Sequence, residues 1–309
     1  MLKQYFKQAW NLMRQEKLFS AIYIIGTGLA VSMVMALAIA LTVMLTDVYP
    51  ETNRDRMLIV DYGMINNEKE HNQYFAGLSA KAIHKCFDGM EDVETMSVAV
   101  TWNEQGKVQL DRDRQVTANI KFVDNNFWKV FSFDFIKGKP FTASDLDARK
   151  RVAVISESLA QKTFGSADVV GKDISFDFIK YRVAGVVKDA SAITNMSYSD
   201  IWVPYSFYPY IDQDGKDEAT GTLGSFSAYL LVKEGADIKA VKREGQQRID
   251  RYSQSLGKDV RFWCMERPYT HKENFFSQRS VFPVNYTNVV ILALLIILVL
   301  LIIPAVNLS

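Results

Sequence analysis

The sequence predicts an α+β extracytoplasmic domain carried between two transmembrane helices. Three observations predict it: apolar residues pile up at both ends of the chain, the middle has the polar composition of a folded domain, and short strand patterns alternate there with helical ones. Averages conceal this arrangement. Over 309 residues, 49% hydrophobic and 23% charged with a net charge of +1, the mean hydropathy of -0.03 is that of an ordinary globular protein.

Residues 1–17 come first. Leu2, Tyr5, Phe6, Ala9, Trp10 and Met13 recur at helical spacing with Lys3, Lys7, Gln8 and Arg14 turned elsewhere, the pattern of an amphipathic segment lying on the cytoplasmic face of a membrane. Residues 18–46 then run without a charge, longer than the roughly 20 residues that cross a hydrocarbon core as a helix. The basic flank and Ala36-Leu37-Ala38 also fit a cleaved signal peptide. A signal core runs only about 7–15 residues, whereas apolar sequence continues here through Ile39, Leu41, Val43 and Leu45. The uncleaved span is therefore expected. Within it Gly26/Ala30 and Gly28/Ser32 are small-xxx-small pairs, which suit close helix pairing but also arise by chance.

Flanking charge sets the orientation. Lys3, Lys7, Arg14 and Lys17 precede the span, while Arg54 and Arg56 beyond it sit among Asp47, Glu51 and Asp55. A cytoplasmic N-terminus and an outer middle domain, residues 47–287, follow. Removing the flank's net +3 from the chain's +1 leaves that domain near -2, which argues against binding nucleic acid.

Within the domain, residues 57–62 read as a strand, 79–87 as a helix and 93–102 as a strand. The pattern returns at 228–232, 238–256 and 260–265, giving two βαβ-like units. They flank an insert, about 108–205, with strands at 116–123, 152–155, 173–178 and 181–187, a helix at 157–164 and turns at Gly138-Lys139-Pro140, Gly165 and Gly171. Residues 211–225, with four acidic side chains, read as a loop. The last element, 288–309, carries no charge and is wholly aliphatic over 289–303: a second transmembrane helix, after which the chain ends without a basic cytoplasmic flank.

Chemistry-bearing motifs are weak. Gly165…Gly171-Lys172 is one residue too long for a phosphate loop, and Asp173 stands where Ser or Thr must reach magnesium. His71, His84 and His271 lack metal-ligand spacing. Asp111/Asp113 and Asp145/Asp147 read as solvated pairs, and no GxSxG elbow marks a nucleophilic serine. No catalytic, cofactor-binding or metal residue is assigned, and no enzyme is expected. Aromatic residues crowd 127–135 and 201–210 (IWVPYSFYPY); exposed they would grip an apolar or peptide cargo, buried they would form core.

Particular residues carry a resemblance. RVAVISESLAQKTFGSADVVGKD at 151–173, followed by YRVAGVVKD at 181–189, resembles the VISE..A...FG....GK.I and V.GVV.D segments of MacB-like and FtsX-like ABC transporter permeases. Phe122-Val123-Asp124…Phe127…Phe131…Gly138 is similar to another stretch of the same family. The opening YFKQAWNLMRQEKLFSAIYIIGTGL at 5–29 and the closing Ile303-Pro304-Ala305-Val306-Asn307-Leu308-Ser309 look like that family's first and second spans. The resemblance implies a non-catalytic permease subunit of the inner membrane whose periplasmic core has a split lobe, about 47–107 and 206–287, and an inserted lobe, about 108–205. It implies a cytoplasmic ABC ATPase and a second permease copy, identical or not, as partners, with a periplasmic adaptor or cargo outside. Nucleotide-driven closing of the spans would move the lobes through stiff junctions at 47–56 and 275–285, exporting or extracting cargo without a cofactor.

Family members continue beyond this point into a coupling helix and further spans, so the chain reads as truncated. An FtsX-like regulator of a cell-wall hydrolase and a two-span sensor are the alternative functions. With the split lobe assembled, Cys86 and Cys264 lie one in each half. A disulfide tethering them and two buried thiols are both open.

Overall fold

The computed structural model describes residues 17–69, 71–109, 115–214, 221–264 and 268–273, with isolated positions at 4, 15, 288, 291 and 295. These fall in two compact units, one drawn from Met1–Thr46 and Phe276–Ser309, the other from Asp47–Phe275.

In the first unit, α1 (Lys17–Leu45) is an unbroken helix of 29 residues. Two of its hydroxyls donate one turn back, Ser32 Oγ to Gly28 O and Thr42 Oγ1 to Ala38 O, each at 2.8 Å. Ile24, Leu29, Met33 and Ile39 project outward. Side chains at several other positions along α1 lie outside the description. Counted over the described residues alone, no helix is long and apolar enough to cross a membrane. The expected amphipathic segment at 1–17, the junction at 275–285 and the second span at 288–309 lie outside the described residues, apart from isolated positions.

The second unit is mixed α+β. It runs β1 (Met57–Val60), β2 (Gly63–Asn67), β3 (Asn72–Leu78), α2 (Ala80–Phe87) and β4 (Val93–Val100). β5 (Glu104–Gln109), β6 (Gln115–Val123), α3 (Phe127–Val130), β7 (Phe135–Gly138), α4 (Ala143–Asp147), β8 (Val152–Ser156) and α5 (Glu157–Phe164) come next. β9 (Asp173–Phe176), β10 (Ile179–Val187), β11 (Ile201–Pro204), β12 (Leu223–Gly224), β13 (Phe226–Val232), α6 (Ile238–Ser255), β14 (Val260–Trp263) and β15 (Tyr269–Thr270) complete it.

β13 is the central strand, buried at every position. It pairs antiparallel with β1 and with β4, so those two run parallel with β13 between them. Side chains alternate along it: Ala228, Leu230 and Val232 enter one core, Tyr229 and Leu231 another. α2 and α6 cover the first core through Ile83, Phe87, Val241, Ile249 and Tyr252, residues at helical spacing. Ser79 caps α2 by accepting from Ala82 N, and Asp237 caps α6 by accepting from Lys239 N, the side-chain oxygens that orphan helix N–H groups need.

Six further strands close on themselves. β5 pairs β6, β6 pairs β11, β11 pairs β8, β8 pairs β10, β10 pairs β9, and β9 returns to β5, so this six-stranded ring leaves no free edge. It touches the central sheet where Ala99 of β4 faces Val123 of β6. The β2–β3 hairpin, β5 and β11 are strands that periodicity did not indicate, because each is short or carries polar residues on an exposed face. Strand β5 contains residue 107, the expected edge of the split lobe.

Candidate functional site

The chain leaves α1 at Thr46 and enters the second unit through residues 47–56, the segment picked out as a junction. Its side chains grip both groups of strands. Toward the ring, Ser132 N donates to Pro50 O at 2.9 Å, Thr52 Oγ1 to Ser132 Oγ at 2.8 Å, and Tyr49 Oη to Lys188 O at 3.2 Å while accepting from Asp134 N at 3.0 Å. Toward the central sheet, Arg56 donates to Val232 O at 2.8 Å and meets Glu94 at 3.3 Å.

At its centre is a buried ionic cluster. Glu51 and Arg54 are 1% and 3% exposed, and Arg54 Nε and Nη2 reach Glu51 Oε2 at 2.8 and 2.7 Å. The other carboxylate oxygen accepts from Ser197 N at 3.2 Å and Ser197 Oγ at 2.9 Å. Arg54 N donates to Asp47 Oδ1 at 3.0 Å, tying the cluster to the first residue of the segment. Burial pushes the Glu51 carboxyl up and the Arg54 guanidinium opposes it. Lys121, wholly buried on β6, is driven down to about 8 by desolvation, against the pull of Glu51. A buried pair keeps its charges only while both partners and their hydrogen bonds are present. The cluster therefore demands one geometry of the junction. Sequence reasoning found the segment but missed Glu51, Arg54 and Lys121 as its anchors; the signal was an i, i+3 pair of opposite charge directly after an apolar run and a lysine inside the apolar strand Ile120-Lys121-Phe122.

The resemblance motifs build the corner around it. Asp124, at the end of β6, accepts from Ser97 Oγ at 2.7 Å, Val98 N at 2.9 Å and Phe127 N at 2.9 Å, and burial raises its carboxyl to about 6. Phe127 and Phe131 lie beside Trp202 and Tyr229 in the second core. In the VISE motif Ser156 caps α5, and Asp189 from the GVVKD motif accepts from Ser158 N at 2.9 Å, so the two segments meet at one helix start. Gly138 pairs with Gly185. A Cβ on Gly138, whose φ is +70°, would sit 2.2 Å from Ala184 O, and one on Gly185 2.8 Å from the Phe135 ring.

Residues 20–248 match the family described as MacB-like periplasmic core domain. This chain belongs to that family. Among relatives, the uncharacterized ABC transporter permease YknZ of Bacillus subtilis is 20% identical over 162 residues, 52% of this chain and 39% of YknZ. The macrolide export ATP-binding/permease protein MacB of Shigella dysenteriae is 28% identical over 138 residues, 44% of this chain and 20% of MacB. The solved periplasmic region of MacB from Actinobacillus actinomycetemcomitans is 15% identical with a TM-score of 0.47, covering 72% of this chain and 94% of that one. The chain thus spans well under half the length of these two curated relatives.

The other sequence features are structural or peripheral. Gly165 is the left-handed cap of α5, and Gly171 (φ +83°) opens a turn in which its N–H donates to Val183 O; the reading as a turn accounts for both. His84 lies 3.1 Å from Asp88 on the surface. Asp145 closes a capping box on Thr142 and pairs with Lys150 at 2.9 Å, which holds its carboxyl down at about 2. Asp111 and Asp113 lie outside the described residues. Among the described residues no group of three or more His, Cys, Asp or Glu is gathered as for a metal ion.

Of the two readings left open, the buried thiols hold: no disulfide joins Cys86 and Cys264; burial raises the Cys86 thiol to about 12. Of the aromatic runs, Phe127, Phe131, Trp202 and Tyr208 are buried. Tyr210 is not. It lines a cleft of about 670 Å³ with Tyr74, Phe75, Trp102, Tyr208 and Gln213.

Proposed function

We propose that this chain is the permease subunit of an ABC transporter of the MacB type, in which an outer unit moves under the drive of a cytoplasmic ATPase to export or extract a cargo. α1 crosses the inner membrane in this reading: 29 residues at 1.5 Å each give about 43 Å, more than the roughly 30 Å of hydrocarbon. The four basic residues before it face the cytoplasm and residues 47–287 the periplasm, with 288–309 as the second span. The chain itself does no chemistry.

The observation that carries the proposal is the anchorage of residues 47–56. A displacement of α1 reaches Asp47 through the backbone, and from there the Glu51–Arg54 cluster, Tyr49 and Arg56 hand it to the ring and the central sheet together. A flexible linker would dissipate such a displacement; a segment fixed by buried charges passes it on. The relatives named as permeases support the assignment to a transporter, and pairing of two copies follows from it.

Affinity purification of the full-length protein from its native membrane, with its companions identified by mass spectrometry, tests the reading. An ATP-binding-cassette protein recovered with it is the expected result. Recovery of a cell-wall hydrolase or a kinase in its place would turn the assignment toward a regulator or a sensor.

A further inference from the structure

The aromatic cleft described above has a strand edge in its wall. Successive side chains of a strand point to opposite faces, yet Tyr74, Phe75 and Ala76 of β3 all line the cleft. A cleft reached from both faces of one strand runs along its edge. One edge of β3 is taken, because Asn72–Ala76 pair with Gly63–Asn67 of β2. Among the described residues no strand pairs with 72–76 on the other edge, since β12 and β13 meet β3 only at Gly77 and Leu78. In an antiparallel ladder alternate residues turn N–H and C=O away from the neighbouring strand. Alternate residues of this stretch therefore offer donors and acceptors to the cleft.

Free edges template pairing with another chain, and proteins commonly blunt them with lysine, proline or a bulge. None of these is present: the stretch reads Asn-Gln-Tyr-Phe-Ala, its register with β2 is unbroken, and Asn72 to Phe75 are exposed. Both walls of the cleft are held. On the strand side the Phe75 ring stacks on Tyr62 at 5.0 Å, and Tyr74 Oη accepts from Asn72 Nδ2 at 3.2 Å. Opposite, Tyr208 Oη donates to Ser225 Oγ at 3.1 Å and its ring meets Tyr210 edge-on at 5.6 Å. A site fixed before binding loses little freedom when filled. The rings suit apolar side chains. Asp214 is the only charged side chain among the described lining residues, which selects against an acidic ligand.

We infer that the cleft binds an extended polypeptide segment, uncharged or basic, by strand addition. The segment's backbone completes the ladder along 72–76, and its alternate side chains pack between β3 and the wall of Trp102 and Tyr210. Backbone pairing supplies affinity and the aromatic wall selects sequence. At about 3.4 Å per residue the free edge takes about five residues, about 17 Å of chain. The site does not depend on what drives the outer unit, so its failure would leave the transporter assignment standing.

Short random peptides displayed on phage are selected on the purified full-length protein in detergent, with counter-selection on Phe75→Lys. Trp102→Ser, on the opposite wall, replaces that variant if its melt shows that it does not fold. The selected peptide is then synthesised unmodified and in two N-methylated forms, one for each set of alternate amides. Phe178→Ser, at an exposed ring outside the cleft lining, is the control. The expected peptide has apolar residues at alternate positions and binds about tenfold more weakly to Phe75→Lys or Trp102→Ser but equally to Phe178→Ser. One N-methylated form loses binding and the other keeps it. Equal effects of the two forms would overturn strand addition. Failure to select any peptide that distinguishes the wild type from a folded cleft variant would overturn the site.

Discussion

Glu51 and Arg54 put the tightest constraint on a single residue pair. Glu51→Gln strands a buried guanidinium, and breaking a buried pair this way costs about 3–5 kcal/mol; the melt of the purified protein in detergent should fall accordingly. Adding Arg54→Met removes the stranded charge, so the double variant should recover most of the loss. Additive losses would show that the two side chains do not act as a pair. Lys121 predicts a pH signature. Its folded pKa, about 8, lies below the 10.5 of an exposed lysine, so the unfolded chain holds the proton more tightly between those values and wild-type stability rises with pH across that window. Subtracting the profile of Lys121→Met should isolate that rise, with Glu51 as the charge acting on the lysine. Identical profiles would mean that Lys121 is not buried as described. These three residues escaped sequence reasoning because a charged side chain looks the same in a sequence whether water or a carboxylate receives it. Asp124 and Asp189 were legible as motif letters, but their work, holding β4 to β6 and starting α5, needed coordinates.

Among elements, strands and helices with clean periodicity were legible: β6, β8, β10, α2, α5 and α6 stand within two or three residues of where the sequence puts them. The β2–β3 hairpin was not, since Asn66, Asn67, Asn72 and Gln73 break the apolar alternation that marks a strand. The split of each βαβ-like unit was not legible either. β13 lies between β1 and β4 through pairings more than a hundred residues apart, which no local pattern encodes. The Gly138–Gly185 contact between β7 and β10 allows a sharp prediction. Gly138→Ala meets both a carbonyl 2.2 Å from its Cβ and a left-handed φ, and should destabilise by about 2–3 kcal/mol. Gly89→Ala, also at φ +70° but with open space around it, is the control that shows the backbone term alone, about 1 kcal/mol. Equal losses at the two sites would dismiss the close approach as the reason for glycine at 138.

At the scale of the molecule, two cores and a closed ring of strands hold residues 47–275 together, and residues 47–56 are tied to both groups of strands within that unit. The aromatic residues at 127–135, a cargo grip had they been exposed, are packed between β1, β13 and the ring. Force entering at Asp47 should move the unit as one body. On the proposed function, with the chain assembled in lipid with an ABC ATPase, spin labels on Ile193→Cys in two copies report that movement as a distance. The account predicts that ATP shifts the distance distribution in the wild-type background and that Glu51→Gln weakens the shift while ATP hydrolysis continues. An outer distance that is the same with and without nucleotide would contradict it.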